Sequence, residues 1–159
     1  PLIFGRADEE IEALQAAGIG FEICPGITSA AAAAAAIGVS LTSRGTNKAI
    51  SFMTGHDAKG FAEQDWASLS TKGARAAVYM GIGAARFIQG RLMLHGAKGN
   101  LPIAIVENAS RENQVIAQSK LATLPEDLAA AGIKGPAILL IGYTAALANQ
   151  TILRQAGTQ

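Results

Sequence analysis

Apolar positions along the chain follow two rhythms, one of about three and a half residues and one of two, and they divide it into alternating helices and strands. Ile11, Leu14 and Ala17 form one apolar face behind Asp8, Glu9 and Glu10, which predicts a first helix capped by Asp8, acidic at its positive end and stopped by Gly18. Residues 21–24 read as a short strand broken by Pro25-Gly26, and residues 29–37 have the composition of a helix ended by Gly38. A second strand is predicted over 50–53, followed from 54 to 65 by a polar stretch long enough for a functional loop or lid. A third strand over 76–80 feeds a helix whose buried stripe is Ala84, Phe87, Ile88 and Leu92 and which ends at His95-Gly96. Residues 103–106 predict a fourth strand, and 114–119 alternate as a fifth at an edge. Thr123-Leu124-Pro125-Glu126 has capping-box spacing for a short helix, and 137–141 closes the sheet. This order predicts an α/β fold class, a mixed sheet with packed helices, undivided by any repeat or low-complexity linker.

Composition narrows the partners. The 159 residues are 50% hydrophobic, enough for a real core, and only 16% charged. Thirteen Lys and Arg against twelve Asp and Glu leave a net charge of +1, so no global field draws nucleic acid or anionic lipid. Low charge with 18 glycines implies an apolar surface meant for another protein segment, supplied by a dimer or a further domain. Cys24 is the only cysteine; its predicted strand position implies a buried, inert thiol, and its solitude a reducing compartment. The longest apolar run, 30–39, is too short and alanine-rich to span a bilayer, and no basic-then-apolar leader opens the sequence, so the expectation is a cytoplasmic protein. A start at Pro1-Leu2-Ile3-Phe4 reads as the middle of a longer chain, hence a fragment or cleaved product.

Candidate chemistry gathers where strands give way to helices. Pro25-Gly26-Ile27-Thr28-Ser29 joins a strand to a helix, where free N–H groups, hydroxyls and a glycine admit a polar ligand; the alternative is that Thr28 or Ser29 simply caps the helix. Tyr79-Met80-Gly81-Ile82-Gly83-Ala84 has the same placement, but Arg86 stands where a dinucleotide fingerprint needs its third glycine and no acidic residue follows, which excludes a nicotinamide site. Met80 is either an adaptable core side chain or a pocket wall. Glu107-Asn108-Ala109-Ser110 follows a further strand and converges on the same sheet edge. His56 and His95 lack ligand spacing to acidic or cysteine clusters, so no metal is expected, and no serine sits on a nucleophile elbow. Arg6 and Arg44, in irregular glycine-containing segments, are solvated surface cations or anion-binding groups.

Six blocks taken together go further. Ile3-Phe4-Gly5-Arg6 with Glu9-Glu10, Cys24-Pro25-Gly26-Ile27-Thr28-Ser29-Ala30, Leu41-Thr42-Ser43-Arg44, Thr54-Gly55-His56, Tyr79-Met80-Gly81 and Ile105-Val106-Glu107-Asn108 resemble the uroporphyrinogen-III C-methyltransferases of the tetrapyrrole methylase superfamily, in order and spacing. The resemblance implies the second of two α/β domains, with S-adenosylmethionine bound in the cleft between them and a homodimeric assembly. Residues 1–14 are then a connector and helix start from an absent N-terminal domain, and 15–159 the C-terminal domain. Carried over by position, Ile3, Thr28, Ser29, Met80 and Ala109 would contact S-adenosylmethionine, with the Pro136-Ala137 backbone near its adenine. Arg6, Glu9, Arg44 and Met80 would face the carboxylate-rich tetrapyrrole, and Arg6 and Glu9 would be catalytic. Ala7-Asp8 stands where the family has a pair of glycines, and Ser43 where a histidine commonly precedes Arg44. The implied reaction is methyl transfer to two pyrrole carbons of uroporphyrinogen III in turn, giving precorrin-2 for sirohaem or cobalamin and S-adenosylhomocysteine as by-product, with the chain alone inactive. The alternatives are another precorrin methyltransferase of the superfamily, or a non-catalytic ligand-binding or dimerisation module.

Overall fold

Short runs of consecutive apolar residues, buried on both faces at 76–79, 103–106 and 137–141, build the centre of the sheet that organises everything else. The computed structural model describes residues 2–45, 47–57 and 60–145. Its elements are α1 (Ala7–Ala16), α2 (Ser29–Ala36), β1 (Ser51–Thr54), β2 (His56–Asp57), β3 (Gly60–Phe61), α3 (Trp66–Leu69), β4 (Ala76–Tyr79), α4 (Ala85–Leu94), β5 (Pro102–Glu107), β6 (Val115–Lys120), a 3₁₀ turn (Leu121–Thr123), α5 (Leu124–Ala130) and β7 (Ala137–Ile141). Among the described residues, five strands form a mixed sheet in the order β1-β4-β7-β5-β6, and β2-β3 form a separate hairpin. β1 runs parallel to β4, while β7 is antiparallel to both β4 and β5. The carboxyl ends of β1, β4 and β5 therefore share one edge with the amino end of β7.

Side-chain alternation gives each face of the sheet its own core. Val78, Ile103, Ile105, Leu139 and Ile141 point to the face covered by Trp66 and Leu69 of α3, Ile88 and Leu92 of α4, and Leu124 and Leu128 of α5. Ala77, Tyr79, Ala104, Val106, Ile138 and Leu140 point to the other, where Ala30, Ala33 and Ile37 lie. Alanines at helical spacing bring α2 close to the sheet, so this run packs closely as well as favouring helix.

Several expectations are corrected. Residues 19–28 run as irregular chain, so 21–24 is not a strand among the described residues, and Cys24 is exposed rather than buried. No residue of α1 is fully buried by the rest of the described chain; Ile11 and Leu14 are only half-buried, and Leu2, Ile3, Phe4, Ile19, Phe21, Ile23 and Ile27 are exposed. Asp8 lies inside the first turn of α1, with Arg6 at the cap position in a left-handed conformation. The polar stretch after β1 holds the β2-β3 hairpin and ends at Asp65, whose side chain caps α3 by accepting from Ser68 N–H. β7 lies at the centre of the sheet instead of closing it. β6 is at the edge, as its alternation implies.

The capping box at Thr123 does not form. Thr123 Oγ1 donates to Asp127 Oδ2 at 2.6 Å, and the buried Ser119 Oγ donates to the same oxygen at 2.7 Å, so the aspartate ties α5 to β6. These two hydroxyls hold the Asp127 carboxyl below the usual aspartate range. A carboxyl depressed by folding stabilises fully above its unfolded pKa, near 4, and the contribution disappears as pH falls through the lower folded value. Asp127→Asn should cost about 1 kcal/mol at neutral pH, a figure discounted for the solvent around the carboxylate, and flatten the acid limb of a urea-denaturation series below about pH 4.

Candidate functional site

At the shared strand edge the backbone turns sharply. The strands flanking β7 both leave the sheet through left-handed residues, Met80 at φ 53° after β4 and Asn108 at φ 51° after β5. Such conformations are uncommon outside glycine and gather at functional sites. Asn108 N–H donates to Pro136 O at 2.9 Å, drawing the start of β7 against the exit of β5. Glu107, 8% exposed, accepts from the N–H groups of Lys134, at 2.8 Å, and of Gly135, fixing the approach to β7.

Together these exits enclose a cavity of about 680 Å³, within the range of small-molecule sites. Ser29 at the start of α2, Met80 after β4, Ala109 after β5 and Pro136 and Ala137 at the start of β7 all line it. The sequence expectation of loops converging on one edge is met by these five residues. Met80 is 53% exposed, a wall of the cavity rather than core. Thr28 occupies the cap position of α2, but its side chain makes no capping bond; Thr28 Oγ1 and the Tyr79 hydroxyl share a hydrogen bond instead, and Ala30 N–H donates to the same hydroxyl at 3.3 Å. Thr28 thus locks the helix start to the strand whose Tyr79 lines the cavity.

Ile3, Arg6, Glu9 and Arg44 are not among the lining residues. Ile3 is exposed next to Phe4, which does line the cavity and packs on Tyr79 at 4.9 Å between ring centroids. Arg6 Nε donates to Glu9 Oε1 at 2.8 Å; that bond holds the Glu9 carboxyl below its ordinary range and the guanidinium above its own, both groups being solvent-exposed. Arg44 sits on an exposed turn closed by paired hydrogen bonds between Ser43 and Asn47.

The cavity also takes in Phe4, which lies in the first of the six blocks but carries no expected role, and Arg111, Lys134 and Gly135, which no motif marks in the sequence. Tyr79 falls in the strand that the sequence predicts over 76–80, yet the partner of its hydroxyl lies 51 positions away. An asparagine directly after a strand is the available signal for the turn at Asn108, because asparagine tolerates the left-handed region. Among the described residues no cluster of three or more His, Cys, Asp or Glu side chains could hold a metal ion, and no helix is long and apolar enough to cross a membrane.

A mixed sheet with helices on both faces, and a cavity at the carboxyl ends of β4 and β5, defines an α/β domain with a strand-edge cavity of small-molecule size. The chain belongs to the tetrapyrrole (corrin/porphyrin) methylases, whose family model matches residues 1–125. The siroheme synthase of Pseudoalteromonas translucida (strain TAC 125) is 41% identical over 147 residues, covering 92% of this chain and 31% of that protein. That of Gluconacetobacter diazotrophicus is 41% identical over 143 residues, covering 89% and 30%. The chain thus spans about a third of the length of these relatives. Among solved structures, uroporphyrin-III C-methyltransferase from Thermus thermophilus complexed with S-adenosyl homocysteine superposes with a TM-score of 0.75 at 27% identity, covering 89% of this chain and 61% of that one. Cobalt precorrin-4 methyltransferase shares the fold, with a TM-score of 0.81 at 22% identity over 89% and 60%. The central strand β7, with Pro136 and Ala137 before and at its start, lies beyond the residues that the family model matches.

Proposed function

We propose that the protein carrying this chain methylates carbon atoms of uroporphyrinogen III, using S-adenosylmethionine and forming precorrin-2. The observation that carries this reading is the meeting of Ser29, Met80, Ala109, Pro136 and Ala137, from four separate stretches of sequence, on one cavity. Its walls suit an adenosyl group: small side chains and backbone at 135–137 beside a thioether and the polar Ser29. Ile3 and Thr28 would complete the cofactor contacts from the flanks. When bound, S-adenosylmethionine supplies an electrophilic methyl group and leaves as S-adenosylhomocysteine.

The chain's own residues have the task of alignment, since a substrate carbon provides the electron pair. Arg6, Glu9, Arg44 and Met80 are assigned to the tetrapyrrole side. Pairing with Glu9 raises the Arg6 pKa, the opposite of what a proton-abstracting arginine needs, so Arg6 serves orientation and charge stabilisation. The exposed apolar residues of 2–4 and 19–27 favour a further domain against α1, with residues 1–14 as its connector and 15–159 as the C-terminal domain; the superposition covers only 61% of the Thermus thermophilus enzyme, which leaves more than a third of that chain without a counterpart here. A homodimer working in the cytoplasm completes the reading.

The test is the natural-length protein incubated with uroporphyrinogen III and S-adenosylmethionine, followed by mass and position of product. Two successive methyl additions are expected. An inert protein would overturn the reading, and a product methylated elsewhere on the ring would make it a different methylase of the same superfamily. Arg44→Glu should weaken tetrapyrrole binding about tenfold through charge reversal while leaving S-adenosylhomocysteine affinity unchanged. Unaltered tetrapyrrole affinity would remove Arg44 from the site.

A further inference from the structure

The turn Thr54-Gly55-His56 grips the exit of β4 from outside the cavity. Gly55 N–H donates to Tyr79 O at 2.7 Å, extending the parallel pairing of β1 and β4 by one rung. One residue on, His56 Nδ1 lies 3.1 Å from Met80 O. A carbonyl oxygen only accepts, so Nδ1 carries the proton in this contact. The turn is itself braced: Thr54 Oγ1 donates to His56 O at 2.7 Å, and Gln64 Nε2 donates to Thr54 O at 3.3 Å.

The imidazole is held by its neighbours as well. Phe61 packs on it at 5.0 Å between centroids, and Phe61 stacks on Phe87 at 4.9 Å and 21°. On another side, Gly83 leaves room for the ring, since a Cβ there would come within 3.2 Å of His56 Cε1. The acceptor belongs to Met80, whose left-handed backbone is uncommon outside glycine and persists only where the surroundings enforce it.

We propose that His56 is a positioning residue for the cavity: by holding the Met80 carbonyl, its Nδ1–H fixes the left-handed turn that presents the Met80 side chain to the ligand. This rests on the reading of Met80 as a cofactor contact. His56 touches neither cofactor nor substrate in this role; it acts through Met80.

The experiment compares His56→Phe, which keeps a ring and loses the donor, with His56→Asn, whose amide can donate from nearly the same place. In the natural-length protein, His56→Phe should weaken S-adenosylhomocysteine binding about five- to tenfold, the effect of one lost hydrogen bond and a relaxed turn, and His56→Asn should recover to within about twofold. Phe binding as tightly as the parent, or Asn no better than Phe, would overturn the proposal, as would a lowered melting temperature with unchanged affinity. A separate readout needs no ligand. Met80 precedes Gly81, whereas Met53 and Met93 precede Thr54 and Leu94, so carbonyl-13C methionine with 15N-glycine marks this peptide bond within the chain. Loss of the hydrogen bond should move the Met80 carbonyl resonance upfield in His56→Phe and not in His56→Asn. A protein that binds no S-adenosylhomocysteine would defeat the functional reading, and an unmoved carbonyl in His56→Phe would then defeat the clamp on its own terms.

Discussion

Gly55→Ala is expected to destabilise the domain by about 3 kcal/mol, lowering the melting temperature by roughly 6–12 °C, and to abolish measurable cofactor binding at ordinary ligand concentrations. The reason is the quality of the atoms in the way. A Cβ on Gly55 would stand 2.6 Å from Met80 O, 2.9 Å from Gly81 Cα and 3.0 Å from Ala84 Cβ. The first two are backbone, and rotation of a side chain cannot relieve them. Relief requires either that β1 withdraw from β4, breaking the bond from Gly55 N–H to Tyr79 O, or that the Met80 turn shift, which moves a cavity wall. Stability and binding therefore fall together. Gly90→Ala is the matching control: nothing lies within 4 Å of the new methyl, the site is an exposed position inside α4, and alanine there should stabilise by about 0.5–1 kcal/mol. Thermal denaturation and calorimetric titration with S-adenosylhomocysteine measure both variants. A Gly55→Ala protein that melts and binds like its parent would mean that the β1-β4 exit is far softer than its geometry implies.

What could be read from the sequence depended on how local the cause was. The stripe Ala84, Phe87, Ile88 and Leu92 carries its helix in its own spacing, and α4 forms with Ala84, Ile88 and Leu92 in the core and Phe87 packed against it. Gly18, Gly38 and Gly96 end their helices at positive φ, as glycine after an apolar run implies. Residues 21–24 have strand composition, yet a strand exists only with a partner, and among the described residues nothing pairs with them. The central place of β7 was hidden because its neighbours, β4 and β5, lie tens of residues earlier in the chain. For the same reason the three strand-end loops could be read as converging on one sheet edge, but the part of the wall that the approach to β7 adds could not be read from periodicity. Pro136 reaches Asn108 through a backbone bond, and Thr28 reaches Tyr79 through a side-chain bond, neither of which has a sequence signal. The six blocks that resemble a methyltransferase supplied the long-range information that periodicity lacks.

Glu107→Ala should have the second large effect, about 3 kcal/mol of lost stability together with loss of affinity at the cavity. Glu107 is the last residue of β5, in register with Ala137, and its carboxylate is nearly removed from solvent. Burial of an ionised group is costly unless its lone pairs are met, and here Oε1 accepts two backbone N–H groups, those of Lys134 and Gly135. The same two groups would otherwise be unpaired donors on a segment entering the central strand. Removing the carboxylate thus orphans both at once and frees the stretch that carries Lys134, Gly135 and Pro136 along the cavity wall. The fit is close, since a Cβ on Gly135 would approach Oε1 to 3.0 Å. Glu107→Gln distinguishes charge from shape: its amide oxygen can still accept both bonds, so it should cost only about 1 kcal/mol and keep most of the affinity. Chemical denaturation gives the stability ranking, parent above Gln above Ala, and S-adenosylhomocysteine titration should give the same ranking of affinities. If Ala and Gln weakened binding equally, the negative charge itself would be what the cavity requires. If Ala left binding intact while lowering stability, residues 134–136 would be a structural support and the adenine contact assigned to Pro136 and Ala137 would have to lie elsewhere.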